Sequence, residues 1–380
     1  MHELSRRTAL VGLLGAAGAA VAGCTGQPSP STTPTDAATT TSATPTSSPP
    51  VDTRPRWPLT GKLLKDGGDA KHAAVAVKVP DNRNEHPQRG LDKADIVFVQ
   101  LDGYRDLSGV NAGYSSTRLM PVFHSSMPEG VGPVRSIRPV DIPLLSPMHA
   151  VIGNTGAVGW VQNYVRANGS YLEGMLSYMN TKGTGSYSID PARVRVLGGV
   201  TYYDRAVVCH PAVLGTLAKR FRTGPQQVYF PFADAKYAST GDGKEARSIS
   251  VQWKSGNTYN MNYTWDDDSG TWLRSMPWGP HRTNAGTRIA PVNVLVIRAK
   301  QRYGKVHAGP GGREPVHEIL DTSGAFHYFH GGRYVTGTWT KGSIDETFIF
   351  TLADGTPLLM APGQTFVELP NKNAKIVIKN

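Results

Sequence analysis

The sequence predicts an α+β fold, a layered sandwich of mixed α/β character. A first lobe over 57–240 alternates strands with helices, and a strand-rich second lobe follows over 241–380. Three observations carry this expectation. Continuous apolar runs of strand length at 94–101 and 118–124 read as strands buried on both faces. Val158, Val161, Gln162 and Val165 follow a glycine-rich turn at helical spacing. Gly331-Gly332 and Asp354-Gly355 each separate two apolar segments as two-residue hairpin turns do.

Taken in order, 72–79 alternates apolar residues and reads as the first strand, with a polar loop running through Pro87. Strands at 94–101 and 118–124 follow. Ala150-Val151-Ile152 is a short strand that runs into Gly153-Asn154-Thr155-Gly156 and then the first helix. A second helix is expected at about 211–221, with Pro211 in its first turn and Gly224 as its stop. In the second lobe, 248–253, 259–265 and 271–274 form a meander turned by Asp268-Ser269-Gly270. A buried strand is expected at 292–297, hairpins at 326–339 and 348–360, and closing strands at 365–369 and 376–378.

Residues 1–23 are targeting sequence and stand outside the fold. Arg6 and Arg7 precede an apolar run at 9–22. That run is about fourteen residues, short of the roughly twenty that a helix needs to cross a bilayer. Its twin arginines point to the Tat route, with a plain basic Sec signal as the alternative. The run ends in Val21-Ala22-Gly23-Cys24, which matches a lipobox, so Cys24 is expected to carry lipid. Two acyl chains suffice for stable anchoring. The expected location is therefore the extracytoplasmic face of a cell membrane. From 25 to 50 the chain is almost wholly Ser, Thr, Pro, Ala and Gln. Such a composition makes 24–56 a lipidated cysteine plus a disordered stalk, with a reach of about 30 Å.

The chain holds two cysteines, so with Cys24 lipidated Cys209 has no intramolecular partner. It sits in an apolar stretch and reads as a small core residue. The formal net charge is +11. Residues 1–23 carry Arg6, Arg7 and Glu3, a net of one positive charge, so the remainder keeps +10. A basic protein at this location attracts anionic phospholipid or acidic wall polymer. Nucleic acid is not an expected partner outside the cell.

Two long motifs connect the chain to other proteins. Gly132-Pro133-Val134-Arg135-Ser136-Ile137-Arg138-Pro139 is the longer, and Gly337-Thr338-Trp339-Thr340-Lys341 lies in the second lobe. Shorter steps accompany them: Asp81-Asn82, Pro87-Gln88, Ala94-Asp95-Ile96-Val97, Thr117-Arg118, Leu273-Arg274, Asn293-Val294 and Pro362-Gly363-Gln364-Thr365. Together they resemble the YerB-like lipoprotein family, a two-part domain of unknown function. The resemblance implies an anchored extracytoplasmic protein of layered α/β architecture and supplies no reaction. The family carries a glutamate where this chain has Val99, which counts against an enzyme.

Candidate ligand-binding residues are Arg118, Arg135, Ser136, Arg138 and Asp95. Guanidinium forks suit a phosphate or carboxylate, and Pro139 suits a helix start that would add free N–H groups. The structural alternative is that Arg135 and Arg138 pair with Asp92, Asp95 or Asp141 and lock the loop. Gly153, Gly156 and Gly159 do not form a dinucleotide fingerprint, and no cofactor is expected. None of the eleven histidines takes a metal-binding spacing, so no metal is expected. Trp253, Trp265, Trp272, Trp278 and Trp339 suit either a sugar platform or a β core. No catalytic residue can be named. The reading that results is a non-enzymatic module for an anionic or glycan envelope component or a partner protein. An envelope enzyme with an arginine-lined cleft is the alternative.

Overall fold

Eleven strands form one mixed sheet through the middle of the molecule. The structure, a computed structural model, describes residues 54–65, 68–102, 117–253, 259–304 and 314–380. Arg6, Arg7, Cys24 and the stalk up to residue 53 lie outside the described residues, whereas Arg56 pairs with Asp234 at 2.7 Å and belongs to the fold. Across the sheet the order is Lys244–Glu245, Arg333–Lys341, Thr322–His330, Asn293–Ile297, Thr365–Glu368, Ile96–Leu101, Thr117–Phe123, Ala74–Val77 and Ala150–Gly153. Val79–Pro80 adds to Thr117–Phe123, and Ile349–Leu352 adds to Arg333–Lys341. Thr365–Glu368 runs parallel to both of its neighbours, and Ala74–Val77 runs parallel to Ala150–Gly153. The remaining pairs are antiparallel.

The apolar run Ile-Val-Phe-Val-Gln-Leu makes Ile96–Leu101 a central strand, buried at all six positions. A second, five-stranded antiparallel sheet has the order Gly279–Pro280, Thr271–Met276, Asn260–Asp266, Ser248–Gln252 and Ile376–Lys379. Its strands alternate buried and half-exposed residues, as one-sided sheets do. The buried face packs on the large sheet. Trp272 meets Phe329 edge-on at 5.9 Å, and Arg274 lies over the ring of Phe366 at 5.7 Å. Gly331 and Gly332, with φ of 62° and 68°, make the tight turn between Thr322–His330 and Arg333–Lys341.

The expected α+β sandwich, with its strand–helix alternating first lobe, is corrected here: the fold is strand-rich and mostly β-sheet. Among the described residues the α-helices are Asp141–Leu145, Gly159–Ala167 and Pro211–Thr216, all short. Doubly buried apolar strands were read as sheet covered by crossover helices. In the structure, a second sheet supplies much of that cover. The helix expected at 211–221 ends at Thr216, where Gly215 and Thr216 are poor helix formers. It packs on Ala74–Val77 and Ala150–Gly153.

Candidate functional site

Sequence pieces from both halves of the chain meet in a buried polar hub. Asp81 follows Val79–Pro80, Thr117 opens the strand paired to it, and Arg274 is a core-facing position of Thr271–Met276. Asp81 Oδ2 accepts from Thr117 Oγ1 at 2.7 Å and from Arg274 Nη2 at 2.9 Å. Asp81 Oδ1 lies 3.1 Å from His86 Nε2, and Tyr259 donates to the Asp81 carbonyl at 3.0 Å. Glu368 accepts from Trp253 Nε1 at 2.7 Å and from the Tyr263 hydroxyl at 2.5 Å, and lies 3.9 Å from Arg274 Nε. Asp81, Gln88, Arg274, His281 and Glu368 are all 0 % exposed, and among the side chains that meet the Asp81 carboxylate only His86, at 11 %, reaches the surface.

Burial alone would raise the Asp81 pKa, but the Arg274 guanidinium and the nearby His86 hold it far below the usual carboxylate range. Burial pushes Glu368 up to about 7, with Arg274 opposing. Burial and the adjacent Arg274 keep His281 neutral. The network then assigns its tautomer: Nδ1 accepts from Arg274 Nη1 at 2.6 Å, and Nε2 donates to Gln88 Oε1 at 2.9 Å. Asp81, His86 and His281 bring possible metal-ligand atoms within 4.8 Å of one another. Both nitrogens of His281 are engaged, one of them by a guanidinium. That geometry suits a hydrogen-bonded ion pair better than a cation cage.

A second cluster lies across Ala74–Val77 and Ile96–Leu101. Lys78 Nζ donates to Asp141 Oδ1 at 2.9 Å and to Gln100 Oε1 at 2.6 Å. Gln100 Nε2 also reaches Asp141 Oδ1, at 2.9 Å, and the Arg138 backbone N–H donates to Asp141 Oδ2 at 2.7 Å. Burial lowers the Lys78 pKa to about 8, against the pull of Asp141. Beside this cluster Arg118 and Arg138 converge on Asp102. Arg118 Nη2 pairs with Asp102 Oδ1, Arg138 Nη2 lies 3.5 Å from it, and Arg138 Nη1 lies 2.9 Å from Glu314 Oε2. Arg118 Nη1 donates to the Ser136 carbonyl at 2.8 Å. Arg118, Ser136 and Arg138 therefore come together, with Ser136 contributing its backbone.

The other two candidates sit apart. The Asp95 carboxylate accepts the backbone N–H groups of His124 and Ser125, each at 2.7 Å, and the Ser125 hydroxyl. It holds the turn after Thr117–Phe123, and burial pushes its pKa up. Arg135 faces an arginine-rich surface. It pairs with buried Glu85 and lies 3.8 Å from Asp204 Oδ2. Arg205 Nε is 3.4 Å from Glu85 Oε1, and Arg195 Nη2 is 2.8 Å from Asp204 Oδ1. Arg193 donates to the carbonyls of Glu85, at 3.1 Å, and of Pro87. Partial burial works against ionisation of Asp204, but Arg195, Arg135 and Arg205 hold its pKa below the ordinary value. Three guanidiniums thus share two carboxylates, with Arg193 held on backbone carbonyls beside them, and the Arg135, Arg195 and Arg205 side chains are 24 %, 33 % and 27 % exposed.

Other sequence candidates resolve simply. Cys209 is buried, its thiol pKa is pushed up by burial, and the adjacent His210 bonds Glu129 and Ser188 instead. Trp253, Trp272 and Trp339 are core residues. An open groove of about 840 Å³ beside His327 and Tyr334 shares no lining residue with the three charged clusters. Sequence reading missed Lys78, Glu85, Arg193, Arg195, Arg205 and Glu368. Lys78 and Glu368 had left a signal, since each is a charge within an apolar run. Val99, the position where a glutamate was expected, pairs in register with Glu368 on the parallel neighbour strand. A buried carboxylate is therefore present at that level of the sheet.

The hub assembles the pieces on which the resemblance rests, namely Asp81, Gln88, Thr117 and Arg274. Comparisons with known proteins agree with it. A Bacillus subtilis (strain 168) protein named "Putative lipoprotein YerB" is 25 % identical over 327 residues, covering 85 % of this chain and 88 % of that one. The crystal structure of YerB from Bacillus subtilis matches with a TM-score of 0.64 at 19 % identity, over 85 % of this chain and 100 % of that one. The family described as "Protein of unknown function (DUF3048)" matches with its N-terminal domain at residues 59–192 and its C-terminal domain at 249–367. With both parts present in order and the YerB fold shared, this chain belongs to the two-part DUF3048 family.

Proposed function

We propose that this protein is a lipid-anchored, extracytoplasmic binding module for an anionic polymer of the cell envelope. Arg135, with Arg193, Arg195 and Arg205, makes the contact. Similarity to a lipoprotein and the lipobox ending at Cys24 support the anchor. The observation that carries the binding reading is the charge surplus at this surface: the partly exposed side chains of Arg135, Arg195 and Arg205 against Glu85 and Asp204, with Arg193 on backbone carbonyls beside them. Forked donors of this kind suit phosphate or carboxylate groups. Binding is favoured over catalysis because the charged groups of the hub, Asp81, Arg274 and Glu368, are fully buried. A general acid or base must reach its substrate to act.

Two substitutions test the reading. Cys24→Ala should abolish incorporation of labelled fatty acid into the protein, and continued incorporation would overturn the anchor. Arg135→Lys should reduce retention on purified anionic wall polymer by about tenfold, since an ammonium lacks the bidentate fork, with little change in melting temperature. Arg138→Lys should do the opposite, because Arg138 already serves Asp102 and Glu314. Full retention by Arg135→Lys would remove this surface from consideration.

A further inference from the structure

One element of the fold exposes apolar side chains that the folded chain leaves uncovered. Tyr187–Ile189 and Val207–Cys209 pair as a short ribbon rooted in the core. The chain between them projects as an arm, closed at its base where Asp190 N–H donates to the Ala206 carbonyl at 2.7 Å. Its outer part is the hairpin of Arg195–Leu197 and Val200–Tyr202. Gly198 and Gly199, with φ of 57° and 78°, form the tip. A side-chain carbon added at either glycine would meet nothing within 4 Å, so the tip stands in open space.

Among the described residues, five of the twelve exposed large hydrophobic side chains fall within 196–203. They are Val196, Leu197, Val200, Tyr202 and Tyr203, between 40 % and 64 % exposed. No charged residue interrupts 196–203, and Arg193, Arg195, Asp204 and Arg205 flank it. Clustered apolar exposure of this kind marks a contact surface, whereas single exposed residues do not.

We infer that this hairpin is a membrane wedge: its apolar tip enters the interfacial layer of an anionic phospholipid bilayer, and the arginines at its base lie at the headgroups. Register favours a bilayer over a protein partner. Leu197 pairs with Val200 and Arg195 with Tyr202 on one face, while Val196 pairs with Thr201 on the other. Apolar groups therefore point both ways from the tip. A protein surface would cover one face of so thin an element, and an acyl layer surrounds both. Three strand residues reach about 10 Å, the depth at which interfacial elements sit. Spanning is excluded for a two-stranded ribbon, because its edge N–H and C=O groups would be unsatisfied in hydrocarbon. Tyrosines suit the boundary, with an apolar ring and a polar hydroxyl. Arg195 lies over the Tyr202 ring at 5.8 Å, and the chain's net charge of +11 draws it to anionic lipid.

This inference rests on the membrane proximity that the anchor supplies and shares Arg193, Arg195 and Arg205 with the proposed polymer contact; its test changes only Leu197 and Val200, which that contact does not use, so the two fail separately. Protein from residue 24 onward, carrying Cys24→Ala and so free of the apolar segment at 9–22, is mixed with vesicles of equimolar phosphatidylglycerol and phosphatidylcholine, or of phosphatidylcholine alone. Adding Leu197→Ser with Val200→Ser should reduce sedimentation with the anionic vesicles at least tenfold and leave the melting temperature unchanged. In parallel, Val200→Cys is labelled with an environment-sensitive fluorophore; Cys209 is buried and does not compete. Its emission should shift to the blue with anionic vesicles and be quenched by brominated lipid. A label at Val228→Cys, on an exposed residue outside the hairpin, should not respond. Equal sedimentation of parent and double variant, or equal emission from the two labels, would overturn the wedge. Loss of binding to a protein ligand without change on vesicles would overturn it equally.

Discussion

The hub around Asp81 and the surface around Arg135 use the same residue types to opposite ends. In the hub one guanidinium meets Asp81 fully and Glu368 in part, with every principal group out of reach of water. At the surface three guanidiniums share two carboxylates, and all three side chains keep about a quarter to a third of their exposure. A balanced, closed set holds two sheets together. An unbalanced, open one retains capacity for another anion. Charge balance and burial, rather than the presence of arginine, separate the two roles.

The largest effect is expected in the hub. Arg274→Ala leaves Asp81 and Glu368 buried without their cation, and breaking such a pair costs about 3–5 kcal/mol. Urea denaturation should show that loss at an unchanged slope; a loss below about 1 kcal/mol would mean the hub is not what joins the sheets.

Acidity sharpens the contrast next. The Glu368 pKa rises from 4.5 to about 7 on folding, so the folded state holds its proton more tightly. Its contribution to stability is fully present below about pH 4.5 and is lost as pH rises through about 7. Asp81 is shifted the other way, and its contribution is lost as pH falls below its ordinary value of 3.8. Glu368→Gln should therefore flatten the decline in stability between pH 4.5 and 7. An unchanged profile would show that other groups set it.

The smallest expected effect lies at the surface. Asp204→Asn removes one carboxylate from a side chain that is 40 % exposed. Stability should change by no more than about 0.5 kcal/mol, as is usual for exposed pairs. Retention on anionic polymer should rise about two- to threefold, since the local surplus grows by one charge. A fall in retention would break the comparison.

Much of the strand content was legible in the sequence, because strands announce themselves locally. Ile96–Leu101 and Thr117–Phe123 matched apolar runs, and Gly331-Gly332 marked its hairpin. Strand order was not legible. Thr365–Glu368 sits between Asn293–Ile297 and Ile96–Leu101, and no local pattern names a partner so far away in the chain. The helical lobe was over-read for a related reason: buried strands look alike whether helices or a second sheet cover them. Of the site, the 132–139 motif names Arg135 and Arg138, but their separation onto two carboxylate sets depends on tertiary placement of Glu85 and Asp102. Arg274 was the readable clue left unused. In Thr-Trp-Leu-Arg-Ser-Met it shares its face with Trp272 and Met276, and a charge on the core face of a strand calls for a buried partner.

The position of Thr365–Glu368 also sets a timetable. Until residue 364 has left the ribosome, Ile96–Leu101 and Asn293–Ile297 have no strand to join them, and each shows a bare, apolar edge. Such edges recruit strands from other chains. Sheet closure therefore waits until residue 368 has been made, and the nascent chain exposes both edges through that interval. A chain truncated before 365 would be prone to aggregate even though it retains the 132–139 motif and the whole arginine surface.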